Sequence, residues 1–277
     1  MEAQTIDMND FVYAGEGANG ISYNHRSDPD TMLKMYNENA PLDIIVSELT
    51  LAQKVYDCGI PTPKPGTLVT DGKRFGILFE RIVDKVSFAR AVGDDPSRIE
   101  ELARRFARFC LLLHGTHLPE GLFPNVKDEY LRMLEDNPYF TQEEKVKVAR
   151  FIREAPDGDS AIHGDLQFGN ALMVGDKDYF IDLGDFNCGH PWFDLGMMCL
   201  CCNYDPEDFV QEAFHMTCAQ AREFWKYFVK EYFGEDSDVE EVTRKLTPYA
   251  GLKVLIIERN AGTYFPAFHA LLDDITK

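Results

Sequence analysis

The chain has 277 residues, 45% of them hydrophobic, and a formal net charge of −19 at pH 7. This length is large for one hydrophobic core and predicts two lobes. So acidic a surface repels nucleic acid and acidic membranes, which excludes both as partners, and it favours a cationic small-molecule ligand.

No apolar run reaches the roughly 18 residues that a membrane span needs, and the first residues show neither a basic region nor an apolar signal core. We therefore expect a cytoplasmic protein. The cysteines number seven, and three of them crowd together at Cys199, Cys201 and Cys202, which favours reduced thiols over disulfides. A metal site in this cluster is the alternative, but no second ligand pair follows at zinc-like spacing.

A glycine-rich segment is the first motif in chain order. Gly15, Gly17 and Gly20 fit the spacing G-x-G-x-x-G, which phosphate-covering loops share with dinucleotide-binding folds. In a dinucleotide-binding fold such a loop opens a helix. Here residues 21–36 favour a strand, a turn and a second strand instead. This order predicts a strand, loop and strand unit that covers phosphate groups.

Lys34 lies inside the otherwise apolar strand of residues 31–36, where an unpaired ammonium would be costly. It therefore needs an anionic partner, and phosphate oxygens would give it a further one. A helix is predicted over residues 41–58, with a proline near its first turn and a glycine as its stop, and Glu48 is its only glutamate. We expect an ion pair between Lys34 and Glu48. The alternatives are a solvated helix face for Glu48 and an edge-strand position for Lys34.

The next strands complete an N-terminal lobe over residues 1–82. Two apolar runs within residues 67–79 flank a turn, so the lobe is predicted to be a five-stranded antiparallel sheet with one helix. At its end, Phe79 would lie at the back of a pocket, and the backbone of Glu80 and Ile82 would hydrogen-bond an adenine edge. Simple core packing of these apolar residues is the alternative.

The C-terminal lobe, residues 83–277, is predicted to be mainly helical. Helices are expected over 98–114, 126–134 and 143–154, from 191 onward, and within 207–233 and 238–260. The acidic run of residues 234–241 is predicted to be a solvated loop that enters a helix. His114 and His117 are predicted to end a helix and to lie in its loop, not to bind a metal.

The stretch from His163 to Asp185 carries the chemistry. His163, Asp165 and Asn170 fit H-x-D-x-x-x-x-N, and two apolar runs around a turn-rich tetrapeptide predict a hairpin between Asn170 and Asp182. The hairpin would bring Asn170 and Asp182 side by side as hard oxygen ligands for Mg²⁺. Asp165 would then face an acceptor hydroxyl and take its proton. Ordinary polar loop residues are the alternative, which the ordered occurrence of both halves disfavours.

With these residues the chain resembles the aminoglycoside phosphotransferase and choline kinase superfamily, the small-molecule branch of the protein-kinase-like fold. The resemblance runs from about Tyr13 to the end and rests on H-G-D-x-x-x-x-N followed by I-D-x-x-D. It implies an α+β, bilobal, protein-kinase-like fold. It also implies ATP and Mg²⁺ as cofactors, and transfer of the γ-phosphate to a hydroxyl of an aminoglycoside-, choline- or sugar-like molecule.

The resemblance implies a role for each matching residue. Asp165 is implied as the base, and Asn170 and Asp182 as the metal ligands. The groups implied to cover or anchor the phosphates are Gly15, Gly17, Gly20, Lys34 and Glu48. Those implied to support the catalytic loop are His163, Asp185 and Asp194.

Two alternative functions stay open. A protein kinase needs a few dozen residues between its metal aspartate and the next helix, ending in A-P-E, as a platform for a peptide. Here only eleven residues separate Asp182 from Asp194, and no A-P-E follows, so the alternative is an atypical protein Ser/Thr kinase. The second alternative is a nucleotide-binding pseudokinase scaffold. The intact set of Asp165, Asn170, Asp182 and Lys34 argues against it.

Overall fold

A computed structural model of the protein describes residues 2–17 and 20–277. These residues form two compact units, the first with residues up to 86 and 172–184, the second with 87–171 and 185–277. The tip of the predicted glycine loop, Ala18 and Asn19, lies outside the described residues. The division into two functional lobes at residue 82 stays a prediction.

The strands are mostly short. They are β1 (Gln4–Thr5), β2 (Phe11–Gly17), β3 (Gly20–His25), β4 (Thr31–Tyr36), β5 (Pro65–Thr70), β6 (Phe75–Glu80), β7 (Val86–Ser87), β8 (Ser160–Ile162), β9 (Ala171–Val174), β10 (Lys177–Phe180) and β11 (Asn187–Gly189). The first six form one sheet in the order β1-β5-β6-β4-β3-β2. All its pairs are antiparallel except β1 with β5.

Most helices follow the predicted ranges closely. The helices are α1 (Leu42–Asp57), α2 (Phe88–Asp94), α3 (Ile99–His114), α4 (Val126–Asp136), α5 (Gln142–Glu154), α6 (Trp192–Asn203), α7 (Glu207–Phe214), α8 (Cys218–Phe233), α9 (Val239–Leu252), α10 (Val254–Ala261), α11 (Pro266–His269) and α12 (Asp273–Thr276). Of these, α2, α11 and α12 were not predicted. The span 207–233 is divided at His215, whose φ of 57° is left-handed. The span 238–260 is divided at Lys253.

The sheet of the first unit differs from the predicted one by one strand. β2 to β6 match the five predicted antiparallel strands, but β1 joins the edge as a sixth and runs parallel to β5. Gln4 and Thr5 are too few to show the two-residue period of a strand. They pair with Val69 and Thr70, and so cover an edge that would otherwise be open.

Alternation along the strands divides the apolar side chains between the two faces of this sheet. Residues on one face pack against α1; they are Tyr36, Leu68 and Ile77 of the sheet with Ile45 and Leu49 of the helix. Those on the other face form a second cluster of Phe11, Leu33, Met35 and Val69. Lys34 has the same parity as Tyr36, so its side chain is directed toward the face that α1 covers.

The hairpin predicted after the catalytic motif is present as β9 and β10. Its turn consists of Gly175 and Asp176 instead of the predicted four residues, because β10 already begins at Lys177. Gly175 has a φ of 57°, the positive value that two-residue hairpin turns need. The start of this strand was not predicted because Lys177 and Asp178 are polar and the prediction relied on apolar runs.

The second unit is held together by helix packing, α3 on α8 and α6 on α9. Phe106 lies at the centre of the first pair, with ring centroids of Phe88, Phe224 and Phe228 at 5.0 to 6.0 Å. Each buried ring of this size contributes about 1.5–3 kcal/mol through removal from water. This core fixes the helices that surround the catalytic segment.

A two-stranded ribbon comes directly before the catalytic segment. β8 pairs with β11 in antiparallel register, Ile162 opposite Asn187 and Ser160 opposite Gly189. β8 ends directly before His163, and β11 leads through two residues into α6. The ribbon therefore brings the catalytic loop and the start of α6 to the same end of the second unit.

The cysteines are free thiols. Cys199, Cys201 and Cys202 are buried in α6, as the predicted buried helix requires, and act as small apolar residues. Within the described part of the chain, no three His, Cys, Asp or Glu side chains converge as a metal site. None of the helices in residues 2–17 and 20–277 combines the length and apolarity needed to cross a membrane.

We predict that Gly196 of α6 tolerates no side chain, because an added Cβ would lie 2.7 Å from the backbone of Tyr249 in α9. Gly196→Ala should lower the free energy of unfolding by about 1–3 kcal/mol, the usual cost of overpacking. Gly251→Ala in α9 is the comparison variant, since its Cβ would lie 2.7 Å from a side-chain methyl carbon of the buried Leu272, which can shift more easily than backbone. Urea unfolding measures both variants, and equal losses would contradict the tight contact between α6 and α9.

Candidate active site

The glycine segment forms the β2–β3 hairpin and does not open a helix. Gly15 pairs with Ser22, and Gly17 pairs with Gly20. An added Cβ at Gly20 would lie 2.2 Å from a backbone carbonyl oxygen of β4, whereas one at Gly15 would meet no atom within 4 Å. Gly20 is therefore needed for close strand approach, while Gly15 leaves open space for a ligand.

A cavity of about 550 Å³ lies beside this hairpin within the first unit. Its lining includes two predicted nucleotide-binding residues, Gly15 and Ile82, together with Met32, Arg81 and Lys85. Burial lowers the pKa of the Lys85 ammonium, and the nearby Arg81 lowers it further. The volume is typical of small-molecule sites, and the lining combines apolar surface with charges of both signs, since Glu16 and Asp84 lie there as well.

The other two predicted base-contacting residues are placed differently. Phe79 packs against the apolar cluster beneath α1. This is the core packing that the sequence analysis gave as the alternative. The Glu80 amide donates to the Lys64 carbonyl at 2.9 Å, and the Glu80 carboxylate accepts from the Lys64 amide at 3.0 Å. Since the Glu80 amide is already bonded, an adenine ring could bond only to the Glu80 carbonyl. The contact between Glu80 and adenine stays a prediction.

The predicted ion pair of the first unit is present. Lys34 Nζ donates to Glu48 Oε1 at 2.6 Å, and each side chain keeps 27% of its surface exposed. β4 and α1 bring the two residues together because Lys34 points to the α1 face of the sheet. The ammonium is thus held in place without being sealed from solvent, and its role toward phosphate stays a prediction.

Tyr36 belongs to the same group, although no motif marks it. Lys34 Nζ lies 5.0 Å from the centroid of the Tyr36 ring, a cation–π distance. Burial, then the Glu48 and Asp182 carboxylates, raise the pKa of Tyr36 far above its ordinary value. Its buried hydroxyl has no hydrogen-bond partner among the residues described. Lys34, Tyr36 and Glu48 therefore form one group.

Asp182, the other predicted metal ligand, has an unusual backbone conformation. Its φ is 59°, one of three positive values among the described non-glycine residues. Such a conformation costs of order 1–3 kcal/mol for most side chains, and Asp and Asn tolerate it best. Strain of this kind persists where the surrounding structure determines the direction of a side chain. The surrounding structure therefore imposes this conformation on Asp182.

In the second unit, the catalytic loop alternates buried and accessible side chains. Leu166 and Phe168 are fully buried, and the Phe168 ring meets Phe214 edge-on with centroids 4.6 Å apart. The Phe168 carbonyl also accepts a hydrogen bond from the Ala89 amide at 3.0 Å. These anchors hold the loop and leave Asp165 partly exposed.

Asn170 is bonded directly to Asp165. Its Nδ2 donates to Asp165 Oδ2 at 2.8 Å and to the Asp165 carbonyl at 3.0 Å. The side-chain amide nitrogen is therefore occupied, which leaves the amide oxygen to act as a hard metal ligand. The structure brings together two of the predicted residues, and it orients the carboxylate of one through the amide of the other.

The start of the loop is held by Asp194, a fully buried residue in the first turn of α6. Its oxygens accept the backbone N–H of His163 at 2.7 Å and of Gly164 at 2.8 Å. His114 Nε2 lies 3.2 Å from Asp194 Oδ2. Burial by itself raises the pKa of Asp194, but the neighbouring histidines and Lys253 lower it, and the net pKa lies below its ordinary value.

Asp185 contacts the loop mainly through its backbone. A Cβ at Gly164, where φ is 88°, would lie 2.1 Å from the Asp185 carbonyl oxygen, so only glycine fits there. The Asp185 side chain is partly exposed and lies 3.4 Å from an Arg259 nitrogen. Close packing of these two backbones keeps the loop against the segment that follows the hairpin.

Three residues beside the Lys34–Glu48 pair or the catalytic loop were not identified from the sequence: Tyr36, His114 and Lys253. His114 ends α3 as predicted, but no spacing rule relates it to Asp194, which lies eighty residues further along the chain. Lys253 carries a usable signal, because it interrupts an apolar run as Lys34 does. Its side chain is 1% exposed.

Comparison with known proteins adds a family. Residues 22–228 match the phosphotransferase enzyme family, APH. No curated protein sequence matches the chain. Among solved structures, the ADP-bound aminoglycoside phosphotransferase APH(2'')-Ib is similar, with 16% identity and a TM-score of 0.60 over 97% of this chain and 92% of its own.

Two other solved structures with a similar fold are named for other small molecules. The amicoumacin kinase hAmiN has 15% identity and a TM-score of 0.58, covering 99% of this chain and 89% of its own. A choline/ethanolamine kinase family protein from Mesorhizobium loti has 15% identity and a TM-score of 0.54, covering 96% and 85%. These likenesses confirm the predicted α+β, protein-kinase-like fold. Because the family match spans both Lys34 and the catalytic loop, the chain belongs to the phosphotransferase enzyme family.

Proposed function

We propose that the protein is an ATP- and Mg²⁺-dependent kinase that transfers the γ-phosphate of ATP to a hydroxyl group of a small molecule. The observation that carries this proposal is the pair formed by Asp165 and Asn170. A partly exposed carboxylate is held at 2.8 Å by an amide whose oxygen is left for a metal ion. A carboxylate that orients an acceptor beside a hard-metal ligand is the arrangement that phosphoryl transfer needs.

The first unit supports the binding of a nucleotide. Its cavity of about 550 Å³ adjoins the glycine hairpin, and the Lys34 ammonium is partly exposed and braced by Glu48. The Tyr36 hydroxyl, which lacks a partner among the described residues, would gain one from a bound polar group. APH(2'')-Ib is known with ADP and hAmiN with AMP-PNP and Ca²⁺, and we assign the same class of ligand to this site.

Asn170 and Asp182 are the residues that would hold Mg²⁺, since both offer hard oxygen donors. When bound, the ion neutralises charge on the phosphate oxygens. Lys34 meets those oxygens as a fixed positive charge, and Glu48 keeps it from turning away. In a chain of net charge −19, such local positive groups are necessary for an anionic nucleotide to bind.

Asp165 performs the proton transfer. As the acceptor oxygen forms its bond to the γ-phosphorus, the bond from that phosphorus to the bridging oxygen breaks and ADP leaves. The hydroxyl proton passes to the Asp165 carboxylate. Asn170 holds that carboxylate in one direction through its amide nitrogen, so the base is placed before the acceptor binds.

The acceptor is assigned to the second unit, which contains a separate cavity of about 260 Å³. Its lining carries charges of both signs, including Asp136, Arg132 and Arg259. Arg259 also reaches Asp185, which packs on the catalytic loop. This mixture supports a polar, hydroxylated acceptor. It also means that zwitterionic molecules belong in a search beside the cationic ones that the net charge favours.

The alternatives are less well supported. Only eleven residues separate Asp182 from Asp194, and three of them form β11, which is paired with β8. Little chain is left to make a platform for a peptide, which disfavours a protein kinase. A scaffold without activity would not need the Asp165–Asn170 contact, which disfavours a pseudokinase.

The direct test is ADP release against a panel of hydroxylated compounds. We expect Mg²⁺-dependent release with a member of a panel that contains aminoglycosides, choline-like alcohols, sugars and hydroxylated amino acids. Casein-like proteins and a reaction without any acceptor complete the panel. Release with a protein and with no small molecule would favour the protein-kinase alternative, and tight ATP binding without release would favour a scaffold.

Asp165→Asn should leave nucleotide binding nearly intact and lower kcat by roughly 10²-fold or more, because the base acts on the acceptor and not on ATP. The exposed Asp159, which pairs with His117 at the surface, provides the matched control Asp159→Asn with unchanged turnover. Calorimetry of ATP binding and steady-state kinetics measure the two quantities. Unchanged turnover in Asp165→Asn would remove that residue from the mechanism.

Asp182→Ala should abolish nearly all turnover, since water replaces a lost carboxylate ligand poorly. It should also shrink the Mg²⁺ dependence of ATP binding, because the carboxylate no longer repels metal-free phosphates. Asp182→Asn keeps a side chain that tolerates the positive φ of 59°, so it separates lost charge from backbone strain. Asp176→Ala in the exposed turn of the same hairpin is the control, and wild-type rates in both Asp182 variants would contradict the metal assignment.

A further inference from the structure

Lys253 is the one buried lysine or arginine among the residues that the structure describes, with 1% of its surface exposed. It lies at the junction of α9 and α10 and interrupts the apolar run Gly251-Leu252-Lys253-Val254-Leu255-Ile256. Removing an ammonium from water costs several kcal/mol. A position that served only packing would be filled better by another apolar side chain.

The junction between the helices does not need the ammonium. The bonds that join α9 to α10 use the backbone of Lys253, whose N–H donates to the Ala250 carbonyl at 3.1 Å and whose carbonyl accepts from the Ile257 amide at 3.0 Å. Any residue other than proline could make these bonds. The charged end of the side chain therefore requires a separate explanation.

That end contacts the catalytic loop. Lys253 Nζ donates to the Gly164 carbonyl oxygen at 3.2 Å and lies 5.4 Å from the centroid of the Tyr130 ring. Gly164 is the residue directly before Asp165. The ammonium thus acts on the backbone that carries the candidate base, at a point one residue away from it.

Gly164 is held on both sides by opposite charges. Its N–H donates to the Asp194 carboxylate at 2.8 Å, and its carbonyl accepts from Lys253. Each charge matches the pole of the peptide group that it meets, so both hydrogen bonds are charge-assisted. Neither flanking peptide can rotate without breaking one of them in a site of low dielectric. The direction in which Asp165 leaves the backbone is fixed as a result.

The charges around the ammonium also belong to the loop. Burial by itself lowers the pKa of Lys253, but Tyr130 and the carboxylates of Asp194 and Asp165 raise it above its ordinary value. His114 is a further neighbour of Asp194, at 3.2 Å. Lys253 therefore offsets negative charge that the loop and α6 bring together beneath the site.

We propose that Lys253 is a positioning residue for phosphoryl transfer, which acts through the Gly164 carbonyl to fix the direction of the Asp165 carboxylate. This inference rests on the proposed function. Because Lys253 is buried, it touches neither nucleotide nor acceptor. Its loss slows the chemical step and changes nucleotide affinity little, because the groups proposed to contact the nucleotide directly, the glycine hairpin and Lys34, lie in the first unit.

Three variants test the proposal. Lys253→Met keeps an unbranched side chain of similar length and removes the charge, while Lys253→Arg keeps the charge on a differently shaped group. Lys245→Met is the matched control on α9, since Lys245 is 53% exposed and pairs with Glu241 at the surface. The measurements are kcat with the acceptor from the panel, ATP hydrolysis with water in its place, MgATP affinity by calorimetry, and thermal unfolding.

We expect Lys253→Met to lower kcat roughly 10²-fold, as for misplacement of a catalytic group by about an ångström. MgATP affinity should stay within about threefold of wild type, Lys253→Arg should recover part of kcat, and Lys245→Met should behave as wild type. A kcat for Lys253→Met within about twofold of wild type overturns the proposal. Failure of both Lys253 variants to fold also overturns it, because the lysine would then support the whole unit.

The same experiment separates this inference from the function on which it rests. Wild-type protein that releases no ADP, with any acceptor or with water, overturns the proposed kinase function itself. Wild-type turnover together with an active Lys253→Met overturns only the positioning role. A loss of MgATP affinity equal to the loss of kcat would likewise reject positioning, since the residue would then act on nucleotide binding.

Discussion

The catalytic half of the molecule depends on one buried carboxylate, that of Asp194. It is fully buried and accepts the N–H groups of His163 and Gly164 at 2.7 and 2.8 Å. An ionised carboxylate is tolerated inside a protein only when its oxygens are bonded. The catalytic loop and α6 must therefore keep this relation in the folded state. The backbone that carries Asp165 is thus set by folding, not by the arrival of a substrate.

Each of the two units holds one lysine ammonium between a tyrosine ring and an oxygen acceptor. Lys34 lies 5.0 Å from the Tyr36 ring and Lys253 lies 5.4 Å from the Tyr130 ring. Each ammonium also has an oxygen partner, Glu48 for the first and a loop carbonyl for the second. The difference is exposure. The Lys34 side chain keeps 27% of its surface exposed, as its proposed role toward phosphate requires, whereas Lys253 is 1% exposed and contacts only the protein.

Much of the site was predictable because its signals are local. The spacing of Asp165 and Asn170 depends on one turn of loop, and the structure adds a direct hydrogen bond between the two that the spacing did not predict. Alternation in β4 places Lys34 on the face of α1, so its pairing with Glu48 follows from parity. Elements that show no such local pattern were not predicted. β1 has two residues and no readable period, and its place depends on an edge that another part of the chain provides.

The fold class and the longer strands and helices follow from patterns among neighbouring residues, and so do the residues that we propose to carry the chemistry. Tertiary structure alone decided which distant groups support them. His114 and Lys253 lie far along the chain from His163 and Gly164, and no local period relates them. Their positions follow from how whole helices pack around a buried charge, and pairing of that kind depends on distance in space, which spacing along the chain does not encode.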